Sequence, residues 1–180
     1  MDSKFEILDS VDRQGNVIGQ ATRKEFHHNP KLIHQVAHCW IFNKKGQILW
    51  QQRSLKKDLS PGYWDMSCGD HVPTGETPER TLKRELEEEL GLTDVNFKLV
   101  DKYIQGNEQQ TELIYLYYAI VDKPAEEFSL QEEEVEKVIW IDVQEAQMKY
   151  VKNELESTEW VVSQVSRILQ KVFSERKSEG

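Results

Sequence analysis

The chain has 180 residues, a hydrophobic fraction of 38% and a formal charge of -9, which suits one domain with a substantial core. The acidic balance argues against a nucleic-acid partner, because phosphate-backbone binding needs a basic face, so an anionic substrate must be met by bound metal and a few local cations. Met1 to Lys24 carries no charged, apolar, small-residue leader and no apolar run is long enough to cross a bilayer, so the cytoplasm is the expected compartment.

Phe5 to Val11 and Val17 to Ala21 flank Asp12-Arg13-Gln14-Gly15-Asn16 and read as a hairpin. His34 to Phe42 and Gln47 to Arg53 are β-rich runs around Asn43-Lys44-Lys45-Gly46, a second hairpin with its glycine where positive φ is needed. Ser60-Pro61-Gly62 breaks the pattern before a short strand over Tyr63 to Ser67. Thr77 as N-cap, Pro78 as first helical residue and Gly91 as left-handed stop mark a helix at both ends. Val95 to Val100, Thr111 to Val121 and Val135 to Ile141 read as strands. The tail from Thr158 to Glu175 spaces Val161, Val165, Ile168, Leu169 and Val172 as an amphipathic helix. This order predicts an α/β chain with a mixed β-sheet between helices, in layers rather than doubly wound. Cys39 and Cys68 are too few for a disulfide framework and lack paired ligand spacing, so free thiols are expected.

The chemistry concentrates on the capped helix. Glu85, Glu88 and Glu89 stand at i, i+3 and i+4 and share one face, while Leu82, Leu86 and Leu90 form the neighbouring stripe. Burying that stripe fixes where the carboxylates point. Three hard oxygen donors on a rigid element suit Mg²⁺ or Mn²⁺.

Glu76, Arg84, Glu85, Leu86, Glu88, Glu89, Gly91 and Leu92 match the spacing of the Nudix box, and the chain here resembles the Nudix hydrolase family. One position departs: Asp70 stands where the box has its first glycine, with Gly69 one residue early. The resemblance implies an α/β/α sandwich with a loop-helix-loop motif, spanning residues 1–180 as a single Nudix domain. It also implies attack of water on a diphosphate, with Glu85, Glu88 and Glu89 as metal ligands and Arg84 orienting a catalytic carboxylate. One of the three glutamates, or a nearby carboxylate, takes the water proton. A glutamate of the Glu132-Glu133-Glu134 run approaches the metal site in several members of the family.

From Gly19 to about Asp142 the chain is further similar to the isopentenyl diphosphate isomerase branch of that superfamily. Ile41-Phe42-Asn43, Gly46-Gln47-Ile48-Leu49, Arg53-Ser54-Leu55, Lys57, Pro61-Gly62-Tyr63-Trp64 and His71 carry this likeness. The branch implies metal ligands at His27 or His28, His34, His71 and Glu112, diphosphate contacts from Arg53 and Lys57, and an aromatic near the reacting group at Trp140. Three departures oppose isomerase chemistry. Gly69 stands where the isomerases carry their catalytic cysteine, Gln110 replaces a metal-binding glutamate, and Glu85 restores the hydrolase box. Cys68 falls one residue short, and strand alternation points it to the other face.

The expectation is therefore a Mg²⁺- or Mn²⁺-dependent hydrolase of a small diphosphate of the nucleoside-diphosphate type. Its rivals are an isopentenyl diphosphate isomerase and a non-catalytic nucleotide-binding module. The sequence leaves the oligomeric state open.

Overall fold

The computed structural model describes residues 5–57 and 59–178, with side chains described as far as Lys171, so part of the expected 1–180 span and the Val172 side chain lie outside the described residues. The first hairpin joins β1 (Ile7–Val11) to β2 (Val17–Thr22). Its turn is held by Asp12, whose carboxylate accepts the amide hydrogens of Gln14 and Asn16, both at 2.9 Å. Thr22 then caps a single helical turn, α1 (Arg23–Phe26), through a reciprocal bond with Glu25. No sequence pattern announced this turn, which is too short to show a period.

The remaining strands are β3 (Ile33–Phe42), β4 (Ile48–Arg53), β5 (Trp64–Asp65), β6 (Cys68–His71), β7 (Phe97–Gly106), β8 (Thr111–Ile120) and β9 (Val135–Ile141). They form one mixed seven-stranded sheet. β3 lies at its centre, parallel to β8 over ten positions and antiparallel to β6 from Val36 to Cys39. The expected hairpin between β3 and β4 exists, yet the two strands pair only at Phe42 and Ile48 before diverging. Ser67 fills the opening gap: its hydroxyl accepts from Ile41 N at 2.8 Å and donates to Leu49 O at 2.6 Å. β4 instead pairs along its length with β9 and briefly with β5.

Two strand expectations need correction. The run Tyr63 to Ser67 is not one strand, because the chain leaves β4 after Asp65 and joins β3 only at Cys68. The strand expected over Val95 to Val100 runs to Gly106, since pairing with β8 continues past an irregularity between Leu99 and Asp101.

Helix α2 (Pro78–Leu90) covers one face of the sheet, with α3 (Val143–Val151) and α4 (Glu159–Ser178) on the other. Alternation along β3 sorts the cores. Ala37, Cys39 and Ile41 meet Leu82, Leu86 and Leu90 of α2, whereas Val36 and Trp40 meet Val161, Val165 and Ile168 of α4. The result is the expected α/β/α sandwich. Among the described residues no helix is long and apolar enough to cross a membrane.

Candidate active site

Thr77 accepts from Arg80 N at 3.3 Å, Pro78 opens α2, and Gly91 ends it at φ 63°. With the leucine stripe buried, Glu85, Glu88 and Glu89 turn together into a cleft of about 610 Å³. Glu85 and Glu89 are only 5% and 6% exposed, and Glu89 Oε2 is buried without a hydrogen-bond partner. Arg84 crosses this face, pairing with Glu85, with Glu88 at 3.3 Å and with Glu76 at 3.6 Å. Asp70 also lines the cleft, so the residue in place of the box glycine adds a carboxylate.

A second donor group opens on the same cleft. The turn α1 presents His27, β3 presents His34 and β6 presents His71, and their ring nitrogens lie within 4.8 Å of one another. His27 Nε2 is 3.3 Å from His71 Nε2. His34 is fully buried with neither ring nitrogen hydrogen-bonded, and its Nε2 lies 3.8 Å from Glu112 Oε1. Glu112, the register partner of His34 on β8, accepts from Gln110 Nε2 at 3.0 Å. Between His27 and His28, the structure brings His27 to this group, while the His28 ring lies 2.8 Å from Lys24 O.

Arg53 and Lys57 line the opposite wall. Arg53 Nη1 donates to Asp65 at 3.0 Å and its Nε to Leu59 O at 3.1 Å, and Lys57 pairs with Glu134. Glu134 thus brings the acidic run to the cleft edge.

The NUDIX domain model matches residues 32–161, which include α2, both donor groups except His27, and both cations. The chain belongs to the Nudix family. It is 30% identical over 149 residues to an uncharacterised Nudix hydrolase of Clostridium acetobutylicum, covering 78% of this chain and 71% of the relative. It is also 29% identical over 171 residues to an isopentenyl-diphosphate Delta-isomerase of Photorhabdus laumondii, covering 91% of this chain and 94% of that one. Among solved structures, a Deinococcus radiodurans protein superposes with a TM-score of 0.76 at 20% identity, covering 91% of this chain and 99% of that protein. The family model and the Clostridium relative make the chain an enzyme of the Nudix hydrolase family.

Electrostatics in this Nudix cleft centre on crowded acid. Burial first, and then the neighbouring Asp70, lifts Glu85 to about 7. Burial followed by Glu85 and Asp70 holds Glu89 well above the usual carboxylate range. Burial likewise lifts Glu112 to about 7, and burial with the facing His71 and His27 pushes His34 well down. Each shift disfavours the charged form: burial outweighs Arg84, which opposes the rise at Glu85.

The sheet separates the remaining candidates. Trp140 does not line the cleft: its Nε1 donates to Lys123 O at 2.8 Å and its ring packs near Phe128. The indoles in the lining are Trp64, which the sequence placed in the isomerase likeness without a role in the site, and Trp160, which it did not single out. Cys68 is buried in the core beneath α2 beside Glu89, as alternation predicted, while Gly69 faces the cleft. A Cβ at Gly69 would stand 2.8 Å from Ala37 O, so close strand approach demands glycine there. Sequence reading also passed over His38, Gln51 and Gln164, whose side chains are buried in the cleft wall. Isolated polar residues on apolar strands and helices carry no periodic signal that separates a packed group from a lining one.

Proposed function

We propose that this Nudix protein hydrolyses a phosphoanhydride bond in a small, nucleoside-diphosphate-type substrate, using Mg²⁺ or Mn²⁺. The observation that carries the reading is the pair of buried carboxylates on α2, Glu85 and Glu89, which face a cleft with Glu88; among the described residues Arg84 is the ion-pair partner of Glu85 and Glu88. The donor set fits such an ion: three hard oxygens on one rigid turn, one of them a buried oxygen without a partner. When bound, the ion lowers the pKa of water and neutralises phosphate charge.

The protein's own groups do the rest. Arg84 orients Glu85 and Glu88 through its guanidinium. Arg53 and Lys57, now paired with Asp65 and Glu134, exchange those partners for phosphate oxygens. His34, His71 and Glu112, with His27, form an additional metal-binding set that extends the site; imidazole donors favour a softer ion such as Zn²⁺. Trp140 acts by supporting the fold near the 3₁₀ turn at Ala125–Glu127 rather than by touching substrate. We read residues 1–180 as one working domain, supported by Leu8 and Val165 joining the buried interior on either side of the matched region. The two buried, unbridged thiols of Cys39 and Cys68 suit the reducing cytoplasm.

The experiment is direct: incubate the protein with Mg²⁺ and nucleoside diphosphates, dinucleotides, sugar nucleotides and isopentenyl diphosphate, and identify products by mass. Hydrolysis of a nucleotide-type diphosphate is expected; no phosphate-bond cleavage across the panel sinks the reading. The isomerase alternative keeps its histidine set but lacks a side chain at Gly69 to give or take a proton. No deuterium should enter isopentenyl diphosphate in heavy water, and exchange that vanishes in Cys68→Ala would put the isomerase first.

A further inference from the structure

His38 sits on β3 between the histidine group and the core. It shares a strand face with Val36 and Trp40, which pack under α4, but its remaining 8% of exposed surface opens on the cleft. Buried Gln164 of α4 brings its Nε2 to 2.8 Å from His38 Nδ1. An amide nitrogen only donates, so Nδ1 accepts and the imidazole proton resides on Nε2. Burial pushes His38 down to about 4, which keeps the ring in that neutral form.

The position of the free edge follows from Gly69. Gly69 is the register partner of His38 on β6, and a Cβ there would meet His38 Cδ2, the carbon bonded to Nε2, at 3.0 Å. The imidazole edge therefore occupies the space that a side chain at position 69 would need, on the cleft floor. Arg53 and Lys57 stand with the phosphate end, while Trp160 and Val161 line the cleft next to Gln164 on α4. Around it the lining mixes the apolar Val36, Met66 and Val161 with the buried polar side chains of His38, Gln51 and Gln164.

We infer that His38 selects the organic half of the substrate, donating its Nε2–H to an oxygen of a sugar-like or nucleoside-like group and disfavouring a hydrocarbon chain. The inference rests on the hydrolase reading above and names its substrate class. A hydrocarbon against this edge leaves a buried donor unpaired, whereas a hydroxyl or ring oxygen satisfies it, and sites built to pair a polar group reject analogues lacking it.

The test compares ADP-ribose with geranyl diphosphate, both with Mg²⁺, in the parent, His38→Leu and His38→Asn. The parent should favour ADP-ribose in kcat/KM by at least about tenfold. His38→Leu should lose that preference, mainly through a higher KM for ADP-ribose, with geranyl diphosphate unchanged or improved; His38→Asn, which keeps a donor, should retain part of it. An unchanged ratio in His38→Leu, or equal losses on both compounds, overturns the inference. Calorimetric binding of the same two compounds separates the two claims: if the parent hydrolyses neither, the wider substrate panel above decides the hydrolase reading, and the affinity ratio in parent and variant still decides the role of His38. Gln164→Leu, which frees the tautomer, should weaken the same preference and serves if His38→Leu does not fold.

Discussion

At the scale of single residues, burial decides which carboxylate matters. Glu88 is exposed, but Glu89 is buried with an oxygen lacking any partner, so removing its charge should cost the site more than it costs the fold. Glu89→Gln is expected to keep the melting temperature of the parent or raise it, while kcat/KM falls by at least about 100-fold, the scale of losing a metal-site contact. A variant as active as the parent would remove α2 from the chemistry. Gly69 is the opposite case, where the constraint is space. Gly69→Ala puts a methyl group 2.8 Å from the Ala37 carbonyl oxygen and 2.9 Å from Met66 Sδ, and backbone cannot step aside cheaply. Urea denaturation should register a loss of about 1–3 kcal/mol, the usual cost of overpacking; an unchanged midpoint would show that β6 shifts freely.

At the scale of elements, α2 works because its far end is tied to the acidic loop. Gly91 holds a left-handed φ of 63°, its N–H returns to Glu87 O, and Leu92 N returns to Leu86 O. The loop then completes the cap: Ser129 N donates to Leu90 O at 3.3 Å and Gln131 N to Glu89 O at 3.2 Å. These bonds place Gln131 and Glu134 at the cleft beside the helix. Gly91→Ala should therefore do two kinds of damage, since the new Cβ needs positive φ and would lie 2.5 Å from Ser129 Cβ. Stability should fall by more than the ~1 kcal/mol of the conformational cost alone, and activity should fall with it as the loop is pushed from the helix. Full activity in a stable Gly91→Ala protein would uncouple loop from site.

At the scale of the whole molecule, the fold gathers acids that repel one another, and a bound cation would relieve them. Burial lifts Glu85 to about 7 and Glu89 above the ordinary range, so the metal-free fold prefers their protonated forms. Their contribution to stability is complete below the unfolded carboxylate value and fades as pH rises through about 7. A bound cation needs the charged forms, so its stabilisation grows over the same interval. The rise in melting temperature on adding Mg²⁺ should be larger at pH 8 than at pH 6 by differential scanning calorimetry. Equal increments at both values would mean that the buried glutamates do not hold the ion.

Much of this was legible in the residues themselves. Thr77, Pro78 and Gly91 mark α2 because caps act locally, and the spacing of Glu85, Glu88 and Glu89 guarantees a shared face because helical geometry repeats. Strand alternation likewise placed Cys68 away from the cleft and Gly69 toward it. Contacts between segments distant in sequence were decided by tertiary structure alone. His27, His34, Glu112 and His71 meet only because β3 pairs with β6 on one side and β8 on the other. Trp140 and Trp160 are both aromatic residues near the chain's end, yet packing of β9 sends one to the core and the start of α4 sends the other to the cleft. The split between β3 and β4, held open by the Ser67 hydroxyl, leaves no trace in local periodicity, because each strand keeps its pattern while exchanging its partner.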